Sequence, residues 1–215
     1  MAWLVRIELG AEDIRRLRIN DSYLWHQKLW TCYPSSQDQK RDFLSRIDIL
    51  DGGIRVWMLA HREPIRPDWC PMNAFQIRNI SESFLSHKYY AFDLVANPVE
   101  SVVQVEIDGT HKLTADGKRM RSRRRPLIKD KELREWIYRK GNMNGFSIVD
   151  LKPLEISPMI ESHFSKKGNH GYHGSVRFRG LLEVMDSEKF AEAYHNGIGS
   201  AKAFGFGLML LFPIS

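Results

Sequence analysis

The sequence predicts an α+β fold in which the order strand, helix, strand, strand, helix, strand occurs twice. Two observations predict it: short runs in which apolar and polar residues alternate, and longer segments with apolar residues every three or four positions. The 215 residues allow two small domains, and 43% hydrophobic residues are enough to bury a core. This element order is that of a ferredoxin-like (RRM-like) domain. We therefore expect two such domains in tandem, over residues 1–85 and 86–215.

The first half contains one clear helix among four strands. Asn20 or Asp21 can cap a helix that runs to about Cys32, and Pro34 ends it. Prolines between residues 64 and 71 disfavour the second helix of the pattern. The predicted strands are 2–9, which a polar connection follows, then 43–50, 54–61 and 75–80, with Asp51-Gly52-Gly53 as the turn between the middle two.

The second half repeats the order around a long basic connection. Its predicted strands are 89–96, ending at Asn97-Pro98, then an extended edge segment over 146–160, the return strand 175–185 of a long hairpin, and a last strand after residue 207. A helix is predicted over 129–140, where Gly141-Asn142 ends it, and Asp186 or Ser187 caps a second helix. The hairpin tip is predicted over 162–174, and we interpret its His163, His170 and His173 as loop residues rather than as a metal cluster.

The charge balance favours a polyanionic partner. The net charge is +6 with a pI near 9.3, and much of the positive charge lies in the run 118–125. A basic run can equally be a solvated face. Cys32 and Cys70 stand far apart, which predicts core thiols rather than a zinc site or a disulfide scaffold. With no apolar run long enough for a bilayer and no signal sequence, we expect a cytoplasmic protein without a membrane partner.

A glycine-rich segment over 197–207 is the feature around which the function is interpreted. Its glycines can adopt positive φ angles and bring backbone N–H groups close to a phosphodiester backbone, and Lys202 adds a positive charge. The segment follows a helix and precedes a strand, the reverse of a nucleotide-binding loop, and neither G-x-G-x-x-G nor G-x-x-x-x-G-K-[ST] fits it. A tight helix-to-strand turn is the alternative, and both interpretations stay open at this point.

The predicted helix after Asn20 has two faces. Trp25, Leu29 and Cys32 form an apolar stripe for the core, whereas Tyr23 and His26 lie on another side. A histidine can give or take a proton near neutrality because its ordinary pKa is about 6.5. Tyr23, one turn away, can hydrogen-bond a phosphate oxygen or orient a hydroxyl. The alternative is a histidine that merely packs on the helix.

Six ordered motifs resemble one known family nearly from end to end. They are Tyr23-x-x-His26-Gln27-x-Leu29-Trp30-x-x-Tyr33-Pro34, Arg41-Asp42-Phe43-Leu44, Ala96-Asn97-Pro98, Pro126-Leu127-Ile128-Lys129, Phe178-Arg179-Gly180-Leu181-Leu182 and Gly197-Ile198-Gly199-x-Ala201-Lys202-x-x-Gly205-x-Gly207-Leu208. In order and spacing they resemble the CasE family, the CRISPR repeat-processing endoribonucleases of type I-E Cascade. The sequence departs from the family pattern at Ser200, where a proline is expected, and in its hairpin tip, which is unusually rich in glycine and histidine.

The resemblance implies a tandem ferredoxin-like endoribonuclease that binds the stem-loop of a CRISPR repeat and cuts once at the base of the stem. It implies that His26 and Tyr23 carry the chemistry and that the enzyme stays on the mature crRNA, beside other Cascade subunits and chiefly the backbone subunit at the 3′ end. Because RNA supplies its own 2′-OH nucleophile, we expect no metal and no cofactor. A non-catalytic RNA-binding scaffold of the same fold is the alternative, and a single-strand binder of the RRM type is disfavoured because its aromatic strand motif is missing.

RNA-binding candidates follow from the shape of the expected ligand. A stem-loop is an A-form helix that hides its base edges, so recognition relies on phosphates and unpaired ends. Cations from two sides and the glycine-rich segment near the cut could hold it. The candidates are Lys28, Arg119, Arg121, Arg123, Arg124, Arg125, Lys129, Lys166, Lys167, Gly197, Gly199, Lys202, Gly205 and Gly207, with Lys28 pointing away from His26 on an ideal helix.

Overall fold

The protein is described by a computed structural model that covers residues 2–19, 22–33, 42–149, 152–166 and 169–214. Within these ranges the side chains of residues 22, 23, 162–166 and 169–171 lie outside the described part. The described residues form two antiparallel sheets of four principal strands each, four α-helices, and a two-stranded arm inserted into the second half between residues 96 and 130. The predicted α+β class with tandem ferredoxin-like halves is confirmed. The domain boundary after residue 85 stays a prediction.

The first sheet has the strand order β2-β3-β1-β4, which is that of a ferredoxin-like sheet. Its strands are β1 (Ala2–Gly10), β2 (Phe43–Leu50), β3 (Gly53–Ala60) and β4 (Phe75–Ile80), as the alternation predicted. Its helices are α1 (Ala11–Leu17) and α2 (Ser22–Leu29), and a 3₁₀ turn (Trp30–Cys32) extends α2. The predicted polar connection after β1 is wrong, because α1 occupies it. This short helix buries none of its residues fully, and only Ile14 and Leu17 pack partly buried against the core, so its apolar stripe is too short to recognise.

The second sheet is built around one long strand, β11. Its order is β10-β11-β5-β12, and the short strands β8 and β9 also pair with β11. The strands are β5 (Tyr89–Ala96), β8 (Phe146–Val149), β9 (Glu155–Ile156), β10 (Ile160–Lys166), β11 (Asn169–Val184) and β12 (Met209–Ile214). The helices are α3 (Asp130–Met143) and α4 (Ser187–Asn196), and Asp186 caps α4 as predicted by accepting a hydrogen bond from the Lys189 N–H.

Two predictions for this half are wrong. Gly141 does not end its helix: α3 runs to Met143, and Gly141 lies where a Cβ would come within 2.7 Å of the Phe146 carbonyl oxygen, so close packing explains this glycine. The predicted 13-residue tip is mostly strand, since Lys166 already pairs with Asn169 across the hairpin. Interstrand hydrogen bonds over 160–166 and 169–175 override the weak β propensity of the glycines there.

The basic connection forms an arm that leaves the second sheet after Asn97. Strands β6 (Val99–Val102) and β7 (Arg123–Pro126) pair at its base, and isolated bridges join Val105 to His111 and Leu113 to Arg119 farther out. We call residues 99–126 the basic arm. Because most of its side chains are exposed, the arm is held by backbone pairing rather than by a core of its own.

The core consists of two apolar clusters. One lies between the first sheet and α2, where the predicted stripe Trp25, Leu29 and Cys32 is buried. The other joins residues of both halves to the faces of α3 and α4. Cys32 and Cys70 are buried free thiols, as predicted, and burial raises the pKa of Cys32 to about 12, which leaves it unreactive.

A buried ion network joins the two halves. Arg46 on β2 is fully buried; its Nε donates to Asp48 Oδ1 at 2.9 Å and its Nη1 to the Asp93 carbonyl oxygen of β5 at 2.9 Å. Arg177 on β11 donates two hydrogen bonds to the Asp93 carboxylate. Burial alone would raise the pKa of Asp93, but the hydrogen bond from Arg177 and the charge of Arg46 hold it below its ordinary value.

Among the described residues, no helix is both long and apolar enough to cross a membrane.

Candidate active site

His26 lies on α2 as a half-buried residue; its Nδ1 is buried, and its ring packs among aromatic side chains. Its ring centroid is 5.7 Å from that of Phe43 and 6.2 Å from that of Trp30. The backbone of Tyr23 lies on the same helix one turn earlier, but its side chain lies outside the described residues. The apolar stripe on the other side of α2 fixes the helix rotation, and that rotation keeps His26 out of the core.

Trp30 contacts one imidazole nitrogen of His26 directly. The indole N–H of Trp30 donates to Nε2 of His26 at 3.3 Å, and Trp30 itself packs edge-on against Phe43. A nitrogen that accepts a hydrogen bond carries no proton, so the imidazole is neutral in this arrangement. A neutral imidazole is the form that can accept a proton from a hydroxyl.

The glycine-rich segment folds as a closed loop between α4 and β12. Ile198 N–H donates to the Gly207 carbonyl oxygen at 2.9 Å, and Gly207 N–H donates to the Val95 carbonyl oxygen of β5 at 2.8 Å. A 3₁₀ turn, Lys202–Phe204, lies in the middle. We call residues 197–207 the glycine loop. Its two ends are therefore anchored to each other and to the second sheet.

Tight packing explains part of the glycine content of this loop. A Cβ at Gly207, whose φ is +88°, would lie 2.7 Å from the Ile198 carbonyl oxygen, and one at Gly197 would lie 2.9 Å from methyl groups of Leu44. Gly205 has a comparable φ of +90°, but a Cβ there would meet only the Ser45 carbonyl oxygen, at 3.9 Å. Ala201 adopts a φ of +57°, which is uncommon for a residue with a Cβ. A strained loop at an open position is compatible with a binding role in addition to the packing role.

The fold places α2 beside the glycine loop. The 3₁₀ turn that begins at Lys202 contacts both α2 and β2. Helix α2, which carries His26, and the glycine loop, predicted separately, are thus brought next to each other. Gly199, by contrast, faces the indole of Trp136 on α3, so its contacts are with the core of the second half.

The predicted arginines lie on the basic arm and differ in their surroundings. Arg119, Arg121, Arg123 and Arg124 are exposed. Arg125 is also exposed, but its Nε donates to Glu100 at 2.9 Å and its Nη2 to Glu132 at 2.8 Å. Its charge is therefore already compensated by two carboxylates.

The described lysines among the candidates outside the glycine loop lie in three separate places. Lys28 lies on α2 with its Nζ 5.7 Å from the Trp69 ring, which is consistent with the predicted direction away from His26. Lys129 is exposed at the start of α3. The side chain of Lys166, at the end of β10, and the whole of Lys167 lie outside the described residues.

All three histidines that were predicted in a loop lie on strands, His163 on β10 and His170 and His173 on β11. His173 lies within β11 rather than in a loop, and its ring is 4.6 Å from that of Phe204 and 5.8 Å from that of Phe206. Its Nδ1 is 3.4 Å from Nδ2 of Asn97. Burial, and then the charge of Arg124, lower the pKa of His173. No local sequence signal marks this contact, which joins residues far apart in the chain.

In the part of the chain that the structure describes, no group of three or more His, Cys, Asp or Glu side chains is placed to hold a metal ion.

Comparisons with known proteins agree with the arrangement of the two halves. Residues 2–213 match the family described as CRISPR associated protein. The chain is 29% identical over 208 residues to the CRISPR system Cascade subunit CasE of Escherichia coli K12. The aligned region covers 96% of this chain and 99% of CasE. It superposes on crystalline Cas6e from E. coli K-12 with a TM-score of 0.70 and 24% identity, over 100% of both chains. It superposes on the CRISPR endoribonuclease Cse3, solved with a 19-nt RNA, with a TM-score of 0.74 and 23% identity, over 98% of this chain and 100% of Cse3.

Proposed function

This chain belongs to the CRISPR associated protein family, and on that premise we propose that it is a CRISPR RNA-processing endoribonuclease that acts as a subunit of Cascade. Its similarity to CasE over nearly the full length of both chains supports the proposal. The observation that carries it is the position of His26, half-buried on α2, the helix that contacts the glycine loop.

The proposed reaction is an intramolecular transfer within the RNA. The 2′-OH next to the scissile phosphate attacks phosphorus, the bond to the 5′ oxygen breaks, and the products carry a 2′,3′-cyclic phosphate and a 5′-OH. His26 takes or gives the proton, which typically contributes about 10²- to 10⁴-fold, and Tyr23 orients the hydroxyl or a phosphate oxygen. Because the nucleophile belongs to the substrate, alignment supplies much of the remaining acceleration and no metal is needed.

The RNA in this proposal is a repeat stem-loop held by backbone contacts. The exposed arginines of the basic arm and Lys166 and Lys167 of the hairpin bind the phosphates of the stem from two sides. The glycine loop, with Lys202, holds the strand near His26. An enzyme that binds its product in so many places releases it slowly, and it therefore stays on the mature crRNA beside the backbone subunit at the 3′ end.

A non-catalytic RNA-binding scaffold is the second candidate, and one contact favours it. Nε2 of His26 already accepts a hydrogen bond from Trp30, as a histidine with a purely packing role would. In the enzyme, the RNA hydroxyl must replace the Trp30 N–H at this nitrogen.

Cleavage of an end-labelled repeat by excess protein, with and without chelator, tests the proposal. We expect one cut, a 2′,3′-cyclic phosphate on the 5′ fragment and no effect of chelator. His26→Ala should lose at least 10²-fold in rate while it retains affinity for the repeat. His87→Ala is the control, because His87 is an exposed histidine near Tyr90. A wild-type protein that binds the repeat and leaves it uncut would identify the scaffold.

A further inference from the structure

Three segments that the proposed function assigns to RNA binding meet at one buried side chain, Asn97. This residue follows β5 at the point where the basic arm leaves the sheet, and 4% of its surface is exposed. Its Nδ2 is 3.4 Å from Nδ1 of His173 on the hairpin strand β11 and 3.4 Å from Oγ of Ser200 in the glycine loop. The Ser200 hydroxyl in turn donates to the Asn97 carbonyl oxygen at 3.1 Å.

Neighbouring contacts tie each segment to the same point. The His173 ring packs on Phe204 of the glycine loop. Arg124 of the basic arm lies close enough for its charge to act on His173. At the base of the arm, Leu127 N–H donates to the Pro98 carbonyl oxygen at 3.1 Å. The arm, the hairpin and the glycine loop are therefore linked within a few ångströms of one amide group.

The orientation of the glycine loop needs such a link. Ala201 holds a positive φ directly after Ser200, and a backbone of this kind persists only where its surroundings fix it. Four of the glycines in the loop have φ between +78° and +90°, so the loop has many alternative conformations available to it. The two hydrogen bonds between Ser200 and Asn97, one donated by each residue, restrict these alternatives on the side that faces the hairpin.

We propose that Asn97, His173 and Ser200 form a polar clamp that sets the relative positions of the glycine loop, the basic arm and the hairpin, and that they are positioning residues for RNA cleavage. The proposal rests on the proposed function, because it concerns the alignment of the same RNA. A bound stem is anchored mainly by the arm and the hairpin, so loosening the clamp misplaces the strand at the glycine loop. The cleavage rate then falls more than the affinity does.

Single-turnover cleavage at saturating protein tests the clamp with Ser200→Ala, Ser200→Thr and His173→Phe. Ser200→Ala removes the hydroxyl, and we expect the rate to fall about three- to tenfold while the dissociation constant for the repeat changes less than twofold. Ser200→Thr keeps the hydroxyl and should restore most of the rate. His173→Phe keeps a ring against Phe204 and loses Nδ1, and its effect should combine less than multiplicatively with that of Ser200→Ala.

Ser157→Ala is the matched control. Ser157 is also partly buried, and its hydroxyl accepts a hydrogen bond from the Arg177 N–H at 2.9 Å, but it contacts β9 and β11 away from the glycine loop. We expect its cleavage rate to stay at the wild-type value. A wild-type rate in Ser200→Ala would overturn the clamp, as would equal losses in Ser200→Ala and Ser157→Ala.

Amide hydrogen exchange separates failure of the clamp from failure of the proposed function. In Ser200→Ala, exchange should accelerate in the glycine loop, at the base of the arm near Leu127 and in the outer part of β11. Acceleration confined to the glycine loop would overturn the link among the three segments, whether or not the protein cuts RNA. A wild-type protein that leaves the repeat uncut while exchange accelerates in all three segments would instead overturn the proposed function and retain the structural clamp.

Discussion

The two halves of the chain share one strand order but differ in their helical layer. In the second half, α3 and α4 both bury apolar faces on the sheet. In the first half, an irregular segment over residues 61–74 replaces the second helix of the pattern. That segment packs on α2: the Trp69 ring lies edge-on to Trp25, and its indole N–H donates to Thr31 at 2.7 Å.

This difference shows how the halves divide the proposed work. The complete helical layer of the second half supports a long hairpin and an inserted arm, which supply cations and reach. In the first half, residues 61–74 occupy the place of the missing helix and pack against α2, the helix that carries His26. We therefore expect mutations in the first half to affect cleavage rate, mutations in the second half to affect placement of the RNA, and mutations at the junction to affect the stability of both.

Arg46→Ala tests the junction and should have the largest effect. It leaves the Asp48 and Asp93 carboxylates without their buried partner, and breaking a buried ion pair typically costs about 3–5 kcal/mol. Urea denaturation measures the loss. Arg55→Ala is the control, since Arg55 forms a more exposed pair with Glu8 and should cost about 1 kcal/mol or less. Equal losses would mean that the network does not join the halves.

Gly207→Ala tests the second half through the glycine loop. An alanine there must adopt a φ of +88° and place its Cβ against the Ile198 carbonyl oxygen, so we expect a loss of about 1–3 kcal/mol and slower cleavage. Gly109 on the basic arm has a similar φ of +86° but nothing within 4 Å of a Cβ. Gly109→Ala should therefore show the smaller cost of the backbone conformation alone, and a cost as large as that of Gly207→Ala would exclude the steric explanation.

Trp30→Phe tests the first half. It removes the N–H that donates to His26 but keeps an aromatic ring against Phe43. We expect cleavage at the wild-type rate or up to about threefold faster, at unchanged affinity for the repeat, because the Trp30 N–H no longer competes with the RNA hydroxyl for Nε2 of His26. Trp69→Phe, which removes the bond to Thr31, should leave the rate nearly unchanged. A rate loss in Trp69→Phe alone would mean that bracing of α2 matters more than the contact with His26.

The last prediction, and the smallest effect at neutral pH, concerns how the free energy of unfolding depends on pH. Because the pKa of Asp93 is lowered in the folded state, its contribution is present above the ordinary carboxyl pKa of about 3.9 and is lost as the pH falls through the lower folded value. Urea denaturation between pH 5 and about pH 2 should show stability falling with pH, and Asp93→Asn should make this fall shallower. An unchanged slope in Asp93→Asn would show that other carboxylates control acid unfolding.

Local patterns predicted the elements whose residues contact their neighbours in sequence. Alternation and turn glycines gave β2 and β3, and the apolar stripe gave the buried face of α2, because both patterns reflect burial of one face. Helix α1 was missed because it buries no side chain fully and only Ile14 and Leu17 pack against the core. Gly141 was misinterpreted because a glycine inside a helix and one at its end look the same until the partner, Phe146, is known.

The candidate site was likewise predicted only where local residue chemistry marks it. His26 and the glycine loop were predicted from residue chemistry, with their roles still predictions. The contacts of Asn97 with His173 and Ser200 were not, since these residues are 76 and 103 positions apart and only the pairing of β5 with β11 and the closure of the glycine loop bring them together. The indole of Trp30 was placed on the correct helix, but its bond to His26 depends on a side-chain rotamer that spacing does not fix.

The length of β11 has a consequence for how the protein could be re-engineered. Its 16 residues span roughly 50 Å, and the same strand pairs with β5 in the body and with β10 in the hairpin. Shortening the hairpin by two residues on each strand would draw its end inward by about 7 Å and keep every side chain on its face. Removing a single residue from one strand would instead turn the outer side chains over. The reach of the hairpin toward a stem can thus be adjusted only in steps of two residues.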